Sequence, residues 1–320
     1  MKFGVIGCGN IGFKRANSAS EHDIAYVYDV NAEASAMLAA QTGAHSVSSW
    51  QELLVKDIDA VFVATAHDSL AAITLEAVKA GKHVIVEKPA GRNAKEIEQI
   101  VKLSAEKKKI VKVGYNHRFH PAIQKARQIF DQGAIGEIMY IRGRYGHGGR
   151  LGMENEWRCD PEVSGGGEMI DQAPHLIDLS HWFLGSLHLD YAYTPTMYWN
   201  IPTDDNCFMA LRSDSGQMAW LHATWTEWRN MFNFEIVGRD GKLVIDGLGG
   251  SYGIEKLTFY KMLPEMGPPE ISSWEYPFQD RSWDIELKDF EAAVYTGGRA
   301  SGDIADAYEV LKIVDAAYNY

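Results

Sequence analysis

Three glycines follow the first apolar segment of the chain at short intervals. Gly7, Gly9 and Gly12 form a Gly-x-Gly-x-x-Gly pattern between a strand predicted at residues 3–6 and a helix predicted from about Ile11. Such glycines permit a tight turn, and the helix that follows offers unpaired N–H groups and a positive dipole end to a pyrophosphate. We therefore expect a dinucleotide to bind here, with a plain glycine-rich turn as the alternative. The candidate binding residues are Gly7, Gly9, Asn10, Ile11 and Gly12.

An acidic residue follows these glycines at the spacing that a dinucleotide site requires. Asp29 lies at the end of a second strand, predicted at residues 24–30. A carboxylate at this point accepts hydrogen bonds from the adenosine ribose hydroxyls, and residues 30–33 contain no Arg that could pair with a 2′-phosphate. The sequence therefore predicts NAD as cofactor, with NADP less favoured. A simple turn cap is the alternative for Asp29.

A lysine stands directly after another predicted strand, His83–Val86, within the sequence Glu87-Lys88-Pro89. Open α/β sheets bind ligands at the carboxyl ends of their strands, so Glu87 and Lys88 are candidate cofactor contacts. Pro89 keeps Lys88 out of helical geometry and permits a cis bond, which favours an ammonium held over the cofactor cleft. A solvated surface charge is the alternative for Lys88.

A second dense motif, Gly-Gly-Gly-Glu-Met-Ile-Asp-Gln-Ala-Pro-His, covers residues 165–175. On one continuous helix, Asp171 and His175 would project from the same face, although Pro174 indicates a kink or a late helix start. Three interpretations stay open: a catalytic acid/base pair, a metal site that also uses Asp178 and His181, or buried polar residues satisfied within the fold. We carry the acid/base pair forward, predict no metal, and assign no role to Asp178 or His181.

The elements that must position these residues fall into two groups. The first third alternates Val- and Ile-rich segments with helical patterns, which predicts a doubly wound parallel α/β sheet in a dinucleotide-binding domain over residues 1–118. Turn signals at residues 214–216 and 239–241 indicate antiparallel hairpins farther along. Residues 119–320 are therefore predicted to form an α+β domain with a mainly antiparallel open sheet. Its predicted strands are 138–145, 191–198, 207–212, 218–225, 232–237 and 242–245, and its predicted helices include 168–183, 283–295 and 304–318.

Charge and composition exclude several classes of partner. The 320 residues carry 31 Lys and Arg against 43 Asp and Glu, a net charge of −12, so nucleic acid and anionic membranes would be repelled. No apolar run approaches the ~18 to 20 residues of a membrane span. The three cysteines, Cys8, Cys159 and Cys207, are odd in number and far apart, which predicts reduced thiols and a cytoplasmic protein.

The chain resembles the glucose–fructose oxidoreductase / inositol dehydrogenase / MocA family over nearly its whole length. The resemblance is carried by three motifs in this order: the glycine loop, the Glu-Lys-Pro segment and the 165–175 motif. The resemblance implies an N-terminal Rossmann domain, a C-terminal α+β domain whose open sheet forms a homo-oligomer, and NAD(P)-dependent hydride transfer at a carbinol of a sugar, polyol or sugar derivative. By resemblance, His175 exchanges the proton of the reacting hydroxyl, Lys88 hydrogen-bonds the same oxygen, and Asp171 tunes or orients them.

The same resemblance implies further contacts. Arg118, after the last Rossmann strand, and Trp157 with Arg158, before the second motif, match segments that border the substrate pocket. Family members often carry Thr-Pro and then His after the 60–65 strand, where this chain has Thr-Ala-His-Asp. We expect Thr65 to face the nicotinamide ribose through its backbone, whereas His67 either substitutes for the family's His or caps the next helix.

Two alternative functions remain beside a dehydrogenase. One is a redox glycosidase of the same family that keeps NAD bound and oxidises its substrate only transiently. The other is a non-catalytic nicotinamide-binding regulator, against which the joint presence of Lys88, Asp171 and His175 argues. Net reduction of the cofactor separates the dehydrogenase from both, and release of an aglycone separates the glycosidase from the regulator.

Overall fold

The computed structural model describes all 320 residues, and the chain packs into two compact units. The first unit contains Met1–Tyr115 and Trp283–Tyr308, and the second contains Asn116–Ser282 and Glu309–Tyr320. The sequence-based division assigns all of residues 119–320 to the second domain, whereas residues 283–308 pack with the first unit. A single domain boundary cannot describe a first unit that includes a later segment of the chain.

The first 115 residues alternate strands with helices. They are β1 (Lys2–Ile6), α1 (Asn10–Ser18), β2 (Asp23–Tyr28), α2 (Ala32–Thr42), β3 (His45–Ser46), α3 (Trp50–Leu54), β4 (Ala60–Val63), α4 (His67–Lys79), β5 (His83–Val86), α5 (Ala94–Lys107) and β6 (Val111–Val113). All neighbouring strands pair in parallel, in the order β3-β2-β1-β4-β5-β6. The strand order reverses between β1 and β4, the switch point at which such sheets bind ligands. The predicted doubly wound parallel sheet is confirmed.

The core of the first unit explains why a late segment of the chain belongs to it. Phe3 of β1 stacks on Phe62 of β4, with ring centroids 4.7 Å apart. Leu287 and Phe290 join the same buried cluster. The side chain of Lys112 in β6 is completely buried and its Nζ lies 3.0 Å from Asp289 Oδ2. Apolar burial and a charged contact therefore both fix the returning segment.

The second unit is built on a large sheet. After a 3₁₀ helix (Asn116–Phe119) come α6 (Pro121–Asp131), β7 (Ile138–Gly146), two 3₁₀ helices (Met153–Asn155 and Trp157–Cys159), α7 (Pro161–Ser164), α8 (Glu168–Asp171), α9 (Ala173–Leu184), β8 (Leu187–Tyr193), β9 (Asn206–Ser213), β10 (Met218–Thr224), β11 (Met231–Gly238), β12 (Gly241–Asp246), β13 (Glu255–Lys261) and β14 (Glu270–Tyr276). The final helices are α10 (Ser282–Thr296) and α11 (Ile304–Tyr318). None of the helices is long and apolar enough to cross a membrane.

The eight strands are ordered β14-β13-β12-β11-β7-β10-β9-β8, and every neighbouring pair is antiparallel except β7 with β10. The mainly antiparallel sheet is confirmed, as are the hairpins β9–β10 and β11–β12 at the two turn signals. The strand predicted at 191–198 is wrong in position, because β8 ends at Tyr193. The sequence analysis missed β13 and β14. β14 is an exposed edge strand in which Ile271, Trp274 and Tyr276 do not recur at every second position, so it lacks the alternation that marks a strand.

The helix predicted over residues 168–183 is two helices. α8 ends at Asp171, Gln172 adopts φ −108°, and α9 begins at Ala173 with Pro174 in its first turn. Proline has no N–H to donate to the preceding turn, which breaks the continuous hydrogen-bond ladder. Asp171 and His175 therefore lie on different helices, and the expected spacing of four residues along one helix is wrong.

Candidate active site

The glycine loop between β1 and α1 has little room for side chains on one side and an open surface on the other. Gly7 has φ +93°, and a Cβ there would lie 2.5 Å from the Ala64 carbonyl carbon. A Cβ on Gly12 would collide with the carbonyl oxygen of Gly7, whereas a Cβ on Gly9 would meet no atom within 4 Å. Gly9 is the N-cap of α1 and no side chain caps the helix. The open side of Gly9 and the uncapped N-terminus fit a dinucleotide pyrophosphate.

Asp29 follows β2 directly and ties it to the glycine loop. Its Oδ2 accepts from the Cys8 backbone N–H (2.6 Å) and its Oδ1 accepts from the Asn31 N–H (2.8 Å). A carboxylate has about four lone-pair sites, so both oxygens keep the capacity to accept from ribose hydroxyls. Burial and the nearby Asp29 charge raise the pKa of the Cys8 thiol to about 12. Cys8 is 1% exposed and its Sγ lies 3.4 Å from the Tyr28 carbonyl oxygen, so it packs within the loop as a neutral thiol.

The segment after β4 holds the next two predicted residues. Thr65 is partly buried, and its Oγ1 accepts from the Ser69 hydroxyl (2.9 Å). His67 is the first residue of α4 and is buried, while Ala66 is the N-cap and makes no side-chain cap. His67 is therefore not the N-cap residue of α4, and its role stays a prediction.

Lys88 stands at the carboxyl end of β5, partly buried, and the Lys88–Pro89 peptide bond is cis. The preceding residue belongs to a buried charge cluster. Glu87 Oε1 accepts from Arg15 Nε (2.7 Å), and the same guanidinium pairs with Glu286 from α10. The Arg15 side chain is 1% exposed, and its guanidinium lies 4.3 Å from the centre of the Trp283 ring. We call Arg15, Glu87 and Glu286 the first-unit triad.

The charges of the first-unit triad do not balance, because one guanidinium serves two carboxylates. Burial raises the pKa of Glu87, Arg15 opposes the rise, and Glu286 adds to it. Burial alone would lower the pKa of Arg15, but Glu286 and Glu87 together raise it above its ordinary value. The triad therefore keeps its cation, while Glu87 is easier to protonate than an ordinary glutamate.

In the second unit, an ion pair joins the 3₁₀ helix Asn116–Phe119 to α9. Arg118 donates from Nε to Asp178 Oδ2 (2.8 Å) and from a terminal nitrogen to Asp178 Oδ1 (2.6 Å). Both residues are buried, at 2% and 0% exposure. Two parallel hydrogen bonds fix both distance and orientation. The structure thus gives Asp178 a partner, and a substrate contact by Arg118 stays a prediction.

Next to this pair, two imidazoles are stacked. The rings of His117 and His175 have centroids 3.8 Å apart and planes 12° apart, and the residues are 4% and 6% exposed. Tyr145 of β7 meets the His117 ring edge-on at 5.1 Å, and Phe232 of β11 does so at 5.6 Å. Burial raises the pKa of Tyr145 well above its ordinary value. His175 is therefore held on one ring face by another imidazole, within an aromatic shell.

Asp171, at the end of α8, faces the segment that sequence resemblance associated with a substrate. Its Oδ2 lies 3.6 Å from Arg158 Nε, and the Arg158 guanidinium lies 4.5 Å from the centre of the Trp157 ring. Burial lowers the pKa of the nearby His147, while Asp171 opposes this shift. The structure thus brings Trp157, Arg158 and Asp171 together, and it adds His147.

The position of α8 depends on a buried carboxylate. Asp204 accepts from the backbone N–H groups of Gly167 (3.0 Å) and Met169 (2.7 Å) and from the Tyr318 hydroxyl (2.9 Å). A Cβ on Gly167 would collide with the Asp204 carbonyl oxygen, which explains the glycine. Burial raises the pKa of Asp204, and the three donors oppose the rise. Asp204 therefore caps the short helix that ends in Asp171.

Two residues of the metal-site interpretation, Asp178 and His181, have protein partners. The Asp178 carboxylate is engaged by Arg118, and His181 Nδ1 lies 2.9 Å from the Gly185 carbonyl oxygen at the end of α9. No group of three or more His, Cys, Asp or Glu residues is arranged to hold a metal ion.

Several residues of these clusters were not singled out from the sequence. Those missed are Arg15, His117, Tyr145, Asp204 and Glu286. His117 directly precedes Arg118, which the sequence analysis named as a substrate-pocket candidate. That adjacency was the signal that could have pointed to His117. Glu286 pairs with Arg15 across 271 residues, and no local pattern announces such a contact.

Two family models match this chain. One, described as an oxidoreductase family with an NAD-binding Rossmann fold, matches residues 1–115. The other, described as the GFO/IDH/MocA C-terminal domain, matches residues 123–244. The two matches follow the chain in the order that the motifs predict.

Named proteins also match most of the chain. Levoglucosan dehydrogenase from Pseudarthrobacter phenanthrenivorans is 26% identical over 91% of this chain and 86% of its own length. A 2,7-anhydro-N-acetylneuraminate hydratase from Escherichia coli is 29% identical over 80% of this chain and 68% of its own. A solved structure of levoglucosan dehydrogenase in complex with NADH covers 100% of this chain and 96% of that chain, at 25% identity and a TM-score of 0.90.

Proposed function

This chain belongs to the GFO/IDH/MocA family of oxidoreductases, and from that membership we propose how its residues carry out the reaction. It is an NAD(P)-dependent dehydrogenase that acts on the CH–OH group of a sugar, polyol or sugar derivative. The observation that carries the proposed substrate class is the likeness to levoglucosan dehydrogenase over the whole chain. We favour anhydrosugars and pyranoses with a free secondary hydroxyl as the first substrates to test.

His175 is the proposed base. In the oxidation direction the carbinol C–H bond breaks and its electron pair leaves as hydride, the O–H proton passes to the neutral imidazole, and a C=O bond forms. Bound NAD supplies the hydride acceptor. Lys88 hydrogen-bonds the reacting oxygen and stabilises its developing negative charge, and Asp171 orients the imidazole or the hydroxyl. The burial of His175 and the contact of Asp171 with Arg158 support these roles.

The glycine loop and Asp29 are the proposed cofactor residues. The loop N–H groups and the start of α1 bind the pyrophosphate, and Asp29 accepts from the adenosine ribose hydroxyls. A carboxylate would repel the 2′-phosphate of NADP, so NAD is the preferred cofactor. A lower KM for NADP than for NAD at equal turnover would contradict this preference.

The test is NADH formation by the purified protein across levoglucosan and other anhydrosugars, hexoses, inositols, sugar acids and nucleotide sugars. The His175→Asn variant should lower turnover by about 10² to 10⁴ while NAD affinity stays nearly unchanged. The Lys88→Ala variant should lose activity as well. A matched control is His188→Asn, because His188 is exposed on β8 and pairs with Asp214. Unaltered turnover in His175→Asn would remove His175 from the mechanism.

A second candidate is favoured by one comparison. The relative from Escherichia coli is named a hydratase, and hydration involves no net transfer of electrons. A reaction of this kind would use bound NAD without net reduction. Product analysis after incubation of the NAD-bound protein with anhydrosugars distinguishes the two: a dehydrogenase accumulates NADH with ketone, whereas this candidate forms a hydrated or cleaved product at constant NADH.

We propose that the protein is a homo-oligomer joined through the second unit's sheet. One face of this sheet carries exposed aromatic side chains: Tyr140, Tyr191, Tyr193 and Trp220. Exposed apolar surface of this kind marks protein interfaces. Light scattering should return a multiple of 35.7 kDa, and Trp220→Glu should lower it. A mass near 35.7 kDa for the parent at micromolar concentration would contradict the proposal.

We also propose that the protein is cytoplasmic. The three cysteines are all unpaired and buried, as suits a reducing compartment. Cell fractionation with a cytoplasmic marker tests it, and recovery with periplasmic or secreted markers would overturn it.

A further inference from the structure

We propose that His117 is a positioning residue for the base His175, and that the two stacked imidazoles bind protons as one coupled pair. The inference rests on the proposed function only in naming His175 as the base. The stack itself is a property of the fold, because the ring centroids lie 3.8 Å apart and the planes differ by 12°.

Neighbouring side chains hold the two stacked rings in place. The residue after His117 is Arg118, and Asp178 lies three residues beyond His175 on α9, so the bidentate Arg118–Asp178 pair fixes the two backbone segments against each other. Tyr145 closes on the His117 ring edge-on. Rotation of either imidazole would lose the overlap of the two rings, and rotation of His117 would also lose the Tyr145 contact. His117 therefore covers one face of the His175 ring, whereas the ring nitrogens lie on its edge.

The same closeness couples the two titrations. Two imidazolium charges less than about 4 Å apart in a buried site repel strongly, so the pair takes a second proton far less readily than the first. Whichever ring is protonated first, the presence of a second ionisable ring increases the fraction of His175 that is neutral at a given pH. His117 therefore extends the pH range of the base toward acid.

Other charged and titratable groups lie near the pair or near Tyr145 and His120, which contact it. Those on the neighbouring elements are His120 and Arg118 on the 3₁₀ helix, Glu255 on β13, Tyr145 on β7, Tyr252 before β13, Glu168 and Asp171 on α8, and Asp178 on α9. His120 is already paired with Glu255 (2.9 Å), and Arg118 with Asp178. His117 is distinguished from all of these by its parallel overlap with the His175 ring.

The experiment compares His117→Phe with the parent. Phenylalanine keeps a flat ring in the stack but cannot bind a proton. We expect the acid limb of kcat/KM for alcohol oxidation to move to higher pH by about half a unit or more, with the KM for NAD unchanged. His117→Ala should move the same limb and also lower kcat, because the imidazole is no longer held in its plane.

The matched control is His222→Phe. His222 stacks on Phe208 with centroids 4.1 Å apart and planes 12° apart, so this substitution also removes one imidazole from a ring stack, without touching His175. Its pH profile should superpose on that of the parent. If the His117→Phe profile superposes as well, His117 only packs against His175 and the proposal is wrong.

A second measurement needs no variant. In the parent, the ¹³Cε1 shifts of His117 and His175 should each follow a two-step titration with shared inflections, which single-site curves cannot fit. Independent single-site curves would overturn the coupling. If the coupling is present but His175→Asn keeps full turnover, the proposed role of His175 fails and the inference about the paired protons stands.

Discussion

In the first unit one buried guanidinium, Arg15, pairs with two carboxylates, whereas the second-unit cluster is the bidentate pair of Arg118 and Asp178. Both clusters are almost fully buried and both adjoin a residue that we propose to be catalytic. Glu87 of the first-unit triad directly precedes Lys88. In the second unit, Arg118 directly follows His117 and Asp178 lies three residues after His175. Each cluster therefore lies beside a residue of the proposed mechanism, but one combines a guanidinium with two carboxylates and the other a guanidinium with one.

The difference in charge balance has physical consequences. A balanced buried pair leaves no excess charge, so removing one partner exposes the full cost of an unpaired ion. The first-unit triad already contains a carboxylate in excess, and the Oε1 of Glu286 is buried with no hydrogen-bond partner. Protonation can relieve such an excess, as the raised pKa of Glu87 indicates. We therefore expect the second-unit pair to be the more sensitive to mutation and the first-unit triad to be the more sensitive to pH.

The largest effect should come from Arg118→Met. This variant leaves the Asp178 carboxylate buried without its ion-pair partner, and such losses cost about 3–5 kcal/mol of unfolding free energy. The double variant Arg118→Met/Asp178→Leu should recover most of this loss, because it removes both charges. Urea denaturation measures both.

The control for this prediction is Arg239→Met. Arg239 pairs with Glu137 at the surface, with both side chains more than half exposed, and exposed pairs contribute about 0–1 kcal/mol. A loss in Arg118→Met no larger than in Arg239→Met would show that the buried pair does not stabilise the 3₁₀ helix against α9.

Arg15→Met should have the next largest effect, and that effect should depend on pH. Two buried carboxylates then face each other without the Arg15 guanidinium, and only the charge of Lys88 still favours the ionised form of Glu87, so we expect a cost of about 2–4 kcal/mol at pH 8. As the pH falls, Glu87 binds a proton and the cost should shrink. Unfolding free energies at pH 8 and pH 5 test this, and an equal loss at both values would contradict the role of Glu87.

Removing the excess carboxylate should have a smaller effect. Glu286→Gln leaves Arg15 paired with Glu87 in a balanced contact, so we expect a change in stability below about 1 kcal/mol. Because Glu286 is one cause of the raised pKa of Glu87, that pKa should fall in the variant. A carboxyl ¹³C titration of Glu87 measures this directly, and an unchanged pKa would show that burial alone accounts for the shift.

The features that could be predicted from the sequence are local ones. The glycine loop, Asp29 and Lys88 each lie within a few residues of a Val- or Ile-rich strand, so the strand pattern also placed them at the sheet edge. The hairpins at residues 214–216 and 239–241 were found because their turn residues adjoin alternating segments. In each case one short window of sequence contains both the element and the residue that it positions.

The features that could not be predicted depend on contacts between distant segments or on weak patterns. Arg15 and Glu286 meet because α10 returns to the first unit, and the stacking of His117 on His175 requires the 3₁₀ helix to pack on α9. The break at Gln172 was only partly foreseen, because Pro174 predicts a kink but not which residue ends α8. Edge strand β14 has no buried face, so no alternation of apolar residues could reveal it.

The smallest expected effect compares one histidine from each unit. His83 Nδ1 accepts from the Ile110 N–H (3.1 Å), and His147 Nδ1 accepts from the Gly149 N–H (2.9 Å). Burial lowers the pKa of both imidazoles below the ordinary 6.5. For each histidine, the pKa is lower in the folded chain than in the unfolded chain, so between these two values the unfolded chain binds more protons. Each histidine therefore stabilises the fold above about pH 6.5 and loses that contribution as the pH falls.

The variants His83→Asn and His147→Asn test these contributions, since the Asn Oδ1 can accept the same hydrogen bond but has no proton to gain. Each should flatten the acid side of the stability curve by less than about 1 kcal/mol, because both side chains are partly exposed and solvent screens the effect. Hydrogen exchange resolves the two units, so flattening should appear around Ile110 in the first variant and around Gly149 in the second. If either variant flattened the acid side of the stability curve around both Ile110 and Gly149, the two units would lose stability together in acid. The pH dependence of stability would then not distinguish one unit from the other.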